Sequence, residues 1–252
     1  MAGRNCIKDG NAEVESDIPF AVHMIARTAK WVHPDAFRKL PVWSPWAARG
    51  RGLFSADWRR QYTNTRKSTN ETSDKFESNG SAARALVAAL DVASPKPPNW
   101  TVCHIWGYDD PEFRSAESVV KDPRYFTCLA NMIWLPTPLK GFTDAVQQVK
   151  SILQTCSYYL YGWACEHIAV KAQAEMVRSG SIPAGYPDDW PAPGRLNLRP
   201  VGVAPFTPEL EAKIASRKSE IRRMLDDNSL TNLPRDDVRR VLDFWKIDLS
   251  SG

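Results

Sequence analysis

The stretch from Trp100 to Gly162 constrains the fold more than any other part of the chain. Trp100-Thr-Val-Cys-His-Ile-Trp106 is rich in β-branched and aromatic residues and reads as a strand ending near His104. Gly107 to Arg124 is a polar excursion with turn formers at Asp109, Asp110, Pro111, Asp122 and Pro123. Tyr125 to Leu135 is a second strand-like run with Asn131 inside it. Pro136-Thr137-Pro138 then switches the chain into a helix, with Thr137 as cap and Pro138 as first helical residue. Phe142, Val146, Val149, Ile152, Leu153 and Cys156 form that helix's apolar stripe. The order is strand, loop, strand, helix.

The flanks read as mostly helical. Residues 1–17 are polar and aperiodic, a loose leader. From Pro19 a helix is expected, with Asp17 as cap and Phe20, Ala21, Met24, Ile25, Thr28 and Ala29 at helical spacing. It should stop before His33-Pro34, because a residue preceding proline is steered out of helical geometry. His23 reads as a structural residue and His33 as a turn residue. Residues 41–80 are the least regular, and the polar run Tyr62–Gly80 has few apolar anchors, as a loop or flexible clamp would. Ala82–Leu90 makes a short helix, and Ser94–Pro98 is a stiff connector. Beyond the centre, Cys165–Arg178 reads as a helix and 181–206 as a proline-rich strap over the surface. Thr207 should cap a long helix with Pro208 at its first position and Leu210, Ile214, Ile221 and Leu225 on one face. A last helix from about Pro234 carries Val238, Val241, Leu242 and Trp245. Three regions are expected, 1–98, 99–163 and 164–252.

Net charge is +4, too mild to diagnose a partner, but its distribution is informative. Arg49, Arg51, Arg59, Arg60, Arg66 and Lys67 fall in one stretch opposed only by Asp57, which suits either a solvated face or phosphate contact. No apolar run is long enough to span a bilayer, and the N-terminus lacks an apolar signal region, so a cytoplasmic protein without a membrane partner is expected. The five cysteines include no C-x-x-C pair, which argues for reduced, mostly buried thiols. Cys156, Cys165, Glu166 and His167 match no standard structural zinc spacing, and the two cysteines read as core thiols. Tyr158, Tyr159, Tyr161 and Trp163 read as packing for the helix end.

The central stretch resembles the HNH, or ββα-metal, nuclease family, over about a quarter of the chain. His104 ends the first strand, Asn131 lies in the second, and Asp144 falls in the following helix. The resemblance implies an α+β protein whose small ββα-metal core is embedded in a mostly helical chain. It implies His104 as the general base that deprotonates the attacking water. Asn131 would stand on the metal side or hold the histidine through its loop, and Asp144 would complete a Mg²⁺ site. The chemistry suits these types, since a neutral imidazole accepts a proton near neutral pH and a hard cation carries charge growing on the phosphate. Mg²⁺ keeps most of its waters, so few protein oxygens are needed. Two positions depart from the family pattern. Cys103 stands where Asp or His usually precedes the catalytic histidine, and Lys140 or Leu139 where a helical histidine is common. Lys140 would instead add positive charge at a phosphate.

The expected activity is Mg²⁺-dependent hydrolysis of double-stranded DNA by a restriction- or defence-type endonuclease. The Arg49–Lys67 stretch would clamp the backbone, and a palindromic target would make a homodimer natural. One alternative is a nucleic-acid-binding or scaffold protein on a degenerate HNH fold, favoured by Cys103 and the missing helical histidine. Another is a helical interaction protein in which the central pattern is coincidence.

Overall fold

The computed structural model describes residues 10–49, 63–68, 71–76, 79–107, 119–230 and 233–250. Within them the chain is a mixed helix-and-strand protein. It opens with a single helical turn, α1 (Gly10–Glu13), followed by α2 (Ile18–Thr28). Ile18, Ala21, Val22 and Ile25 are the buried face of α2. Phe20, expected on that face, is 63% exposed, because it lies one position off the i, i+3, i+4, i+7 set begun by Ile18. Asp17 precedes the helix without a side-chain cap, and the helix ends at Thr28, five residues short of His33. His33 caps α3 (Pro34–Lys39), its Nδ1 accepting from the Asp35 amide at 3.1 Å.

The polar run expected as a loop contains a hairpin, β1 (Thr63–Ser68) and β2 (Glu71–Phe76), paired antiparallel from Thr63↔Phe76 to Ser68↔Glu71. A two-residue connection satisfies backbone pairing without apolar residues, so a reading keyed to hydropathy passes over it. Next comes α4 (Asn79–Ala89), which lies against the central hairpin.

That hairpin is β3 (Trp100–His104) and β4 (Met132–Pro136), antiparallel, with Cys103↔Ile133 and His104↔Met132 in register. The expected second strand is shorter than its sequence run. Asp122-Pro123 starts a helical turn instead, α5 (Pro123–Phe126), with the Asp122 carboxylate accepting from the Arg124 amide at 2.8 Å. A 3₁₀ turn at Leu129–Asn131 follows, so Asn131 ends a turn immediately before β4 rather than lying within the strand.

The helix expected after Pro138 is two helices, α6 (Lys140–Ala145) and α7 (Gln147–Tyr161). Val146, with φ −102° and ψ 107°, is extended between them, and Thr137 makes no cap. The break turns α6 across β3 while α7 keeps Val149, Ile152, Leu153 and Cys156 in the core.

The helix expected from Cys165 begins later, as α8 (Lys171–Arg178), after His167 caps a 3₁₀ turn by accepting from the Ala169 amide. The proline-rich strap has no helix or strand between Ser179 and Phe206. It does more than cover the surface. Trp190 is fully buried and meets Trp31 edge-on at 5.7 Å. The strap is also hydrogen-bonded to the Lys30–Trp31 segment, which bridges to Trp134 on β4. Thr207 caps α9 (Pro208–Asp226) as expected, its hydroxyl accepting from the Leu210 amide at 3.1 Å. The chain closes with α10 (Arg235–Phe244). Buried apolar side chains from Ile18 to Leu242 form one cluster, drawn from all three expected regions. Among the described residues no helix is long and apolar enough to cross a membrane.

Candidate active site

Strand alternation sends the Cys103 thiol into the core, at 1% exposure, and leaves His104 half-buried at the strand end. His104 is fixed on two sides. Its ring stacks on Phe126, with centroids 5.2 Å apart and planes 25° from parallel, and Nε2 lies 2.9 Å from the Phe126 carbonyl oxygen. A carbonyl oxygen can only accept, so Nε2 must carry a proton. In the neutral ring the basic nitrogen is then Nδ1.

Asn131 holds this arrangement from behind. Its Oδ1 accepts from the Trp106 amide at 2.7 Å, its Nδ2 donates to the Tyr125 carbonyl at 3.0 Å, and its own carbonyl accepts from the Ile105 amide at 2.8 Å. The side chain therefore joins the segment leaving His104 to the helical turn that supplies Phe126. Asn131 is fully buried, bonded at both amide ends, and not among the residues that line the cavity beside His104. These bonds suit the second of the two roles expected from the sequence, holding the histidine through its loop, better than a place on the metal side. Asn131→Ala would take the side-chain acceptor from the buried Trp106 amide and one donor from the Tyr125 carbonyl, which keeps its bond from the Cys128 amide, an expected loss of about 1–3 kcal/mol in urea unfolding. Asn131→Asp separates the two roles: a ligand would tolerate it, whereas a carboxylate facing the Tyr125 carbonyl should destabilise the fold.

Helix α6 brings Lys140 and Asp144 to the same cavity as His104, which has a volume of about 230 Å³. The two pair with each other across one helical turn. Both are partly exposed, so the pair contributes only about 0.3–0.5 kcal/mol and can open for a ligand. Cys103, standing where the family carries a metal ligand, is held as a thiol by burial, which raises its pKa against the opposing effect of the Thr143 side-chain hydrogen bond.

Of the basic stretch, Arg49 lines this cavity. Arg51, Arg59 and Arg60 lie outside the described residues, and Arg66 and Lys67 fall on β1, where the backbone alone is described. His33 and His167 are helix caps remote in role from the cavity. The described cysteines are buried free thiols, and no three His, Cys, Asp or Glu side chains group together among the described residues.

Several residues of the site were not singled out in the sequence. Lys96, Lys150, Gly107 and Trp100 line the cavity, with Trp100 packed on Trp134 at 4.7 Å. A Cβ on Gly107 would sit 3.0 Å from the His104 Cβ and 3.0 Å from a Val120 methyl, so a larger residue there would press on the histidine and on Val120. Helix α7 adds a polar row at i, i+4, i+7: Lys150 donates to Gly107 O, Gln154 to Ile105 O at 3.4 Å, and Ser157 to Ala130 O at 2.7 Å. Lys150 was detectable, since it falls four residues after Val146 and beside Val149 on the buried face. No protein-family model, curated protein or solved structure matches the chain.

Proposed function

We propose that this chain is an endonuclease of ββα-metal type that hydrolyses DNA phosphodiesters. His104 acts as general base through Nδ1, Asn131 and Phe126 orient it, and Asp144 is the carboxylate on the metal side. The observation that carries this reading is the Nε2–H bond to the Phe126 carbonyl, which directs the ring's basicity to Nδ1 at a cavity shared with Asp144. The antiparallel β3–β4 pair with α6 against β3 supports the ββα assignment.

The donor set suits Mg²⁺ in a sparse way. Asp144 supplies one hard oxygen once Lys140 releases it, and Mg²⁺ is content to keep water and phosphate oxygens for the rest. Bound there, the ion would offset charge growing on the phosphate. Arg49 and Lys140 face the same phosphate, with duplex DNA as substrate and a homodimer as the form suited to a palindromic site.

A second reading, a phosphate-backbone binder that does not cut, is favoured by the Lys140–Asp144 pair and the neutral Cys103 thiol. Supercoiled plasmid distinguishes them. The nuclease reading expects nicked or linear product with Mg²⁺ and none with EDTA. Salt-sensitive binding by folded protein without product, in Mg²⁺ or Mn²⁺, would favour the binder.

A further inference from the structure

We infer that the groove between α2 and the proline-rich strap is a dimer face, covered by a second copy of this chain about a twofold axis that runs along the groove. This face is independent of the nuclease reading, from which a homodimer follows only through the symmetry of a palindromic target.

One wall of the groove is α2 and the other is the strap, with a cavity of about 410 Å³ between them. Pro19, Val22 and Ala26 line it from the helix, Pro187 and Val201 from the strap. Val201 is 77% exposed, and Phe20, with His23 and Arg27 at i, i+3 and i+7, lies on the helix's outer face. A lone exposed apolar side chain is ordinary, but two beside an apolar cleft with a charged border have the composition of a contact surface. The walls are also held to each other. The Trp31 amide donates to Gly202 O at 2.9 Å just beyond the end of α2, and Trp190 packs edge-on against Trp31. The face is therefore formed before a partner arrives. Charge selects the partner. The helix wall carries Arg27, and the strap wall carries Asp188 and Asp189. Asp188 lies 3.4 Å from Arg195, whereas Arg27 and Asp189 make no ion pair among the described residues. A polyanion would meet the acidic wall and a polycation the basic one. A copy of the chain turned about an axis along the groove exchanges the walls, so each α2 faces the other's strap and Arg27 faces the acidic pair, twice in the dimer. Phe20 on the helix wall and Val201 on the strap wall leave water in the same contact.

The test is sedimentation velocity of the full chain over a wide range of concentration. Wild type is expected to pass from one chain to two as concentration rises. Arg27→Asp sets like charge against the acidic wall at two places in the dimer and should weaken association about tenfold or more, as Asp189→Arg should against Arg27. Mixed together, the two variants should dimerise as wild type does, because every reversed charge then meets its opposite. A loss of folding could not be mended this way. Val201→Glu, which puts a carboxylate in the apolar contact, should also leave single chains. All three positions are exposed, so an unchanged circular dichroism spectrum is expected. A wild type that stays a single chain at high concentration, or a dimer indifferent to Arg27→Asp and Val201→Glu, would leave this face to another partner and overturn the inference. So would charge-reversed variants that fail to rescue each other. Plasmid left uncut by the dimer would remove the nuclease reading and leave the interface standing; nicking by a wild type that never pairs would do the reverse.

Discussion

Replacing Gly202 by alanine is expected to destabilise the fold by about 3 kcal/mol or more, a large fraction of the stability of an ordinary domain. A Cβ at that position would lie 1.7 Å from the Ala29 carbonyl oxygen and 2.9 Å from the Ala29 carbonyl carbon. Both are backbone atoms, so no rotamer change relieves the clash and the strap itself must move. Movement breaks the bonds from the Trp31 amide to Gly202 O and from the Ala204 amide to Trp31 O, each 2.9 Å. Trp31 is fully buried against Trp190, and Lys30 next to it exchanges two bonds with Trp134 on β4, so strain in the strap reaches the central hairpin. Gly141→Ala is the control, because a Cβ there meets nothing within 4 Å and the residue lies in helix α6, where alanine is favoured. Urea unfolding of the two variants should show a large loss for the first and a neutral or positive change for the second. A Gly202→Ala variant within about 0.5 kcal/mol of wild type, the range of an inert surface change, would mean that the strap does not dock as described.

His104→Ala should lower DNA cleavage by about 10²–10⁴-fold, the contribution of a positioned general base. It removes Nδ1 and also the bond to Phe126 O and the ring stack, so some stability should be lost. His104→Gln controls for that loss, since its amide can still donate to the Phe126 carbonyl yet accepts no proton at neutral pH. Equal inactivity in both, with the glutamine variant near wild type in stability, assigns the effect to the missing base. Cleavage that survives in either would place the chemistry elsewhere.

The elements with a clear apolar period were legible: α2, α4, α7, α9 and α10 fall within the stretches their stripes mark, although α2 buries Ile18 and Val22 rather than Phe20, and the Thr207-Pro208 start carried its own signal. The hairpin β1–β2 was not, because its pairing uses backbone groups and its sequence offers no apolar alternation. Nor was the break at Val146, an apolar residue on a helical stripe that the tertiary packing sets in extended geometry. In the site, the types and order of His104, Asn131 and Asp144 could be read from the chain, and Lys140 and Asp144 share a cavity with His104. What Asn131 bonds to could not, since the Trp106 amide and Tyr125 carbonyl meet it only once the loop closes. Of the two roles the sequence allowed Asn131, those bonds suit the one that holds the loop. Lys150 shows the opposite case, a residue whose place on a buried helical face was written in the spacing.

The most direct measurement of the central claim pairs the pH dependence of plasmid cleavage with a ¹⁵N titration of the His104 ring in the same buffer. Nε2 is expected to remain protonated throughout, held by the Phe126 carbonyl, while Nδ1 loses its proton as pH rises. Because the base must be deprotonated to work, the cleavage rate should rise over that same interval and fall below it. A ring protonated at Nδ1 in its neutral form, a rate indifferent to the His104 titration, or no cleavage by the folded chain would contradict it.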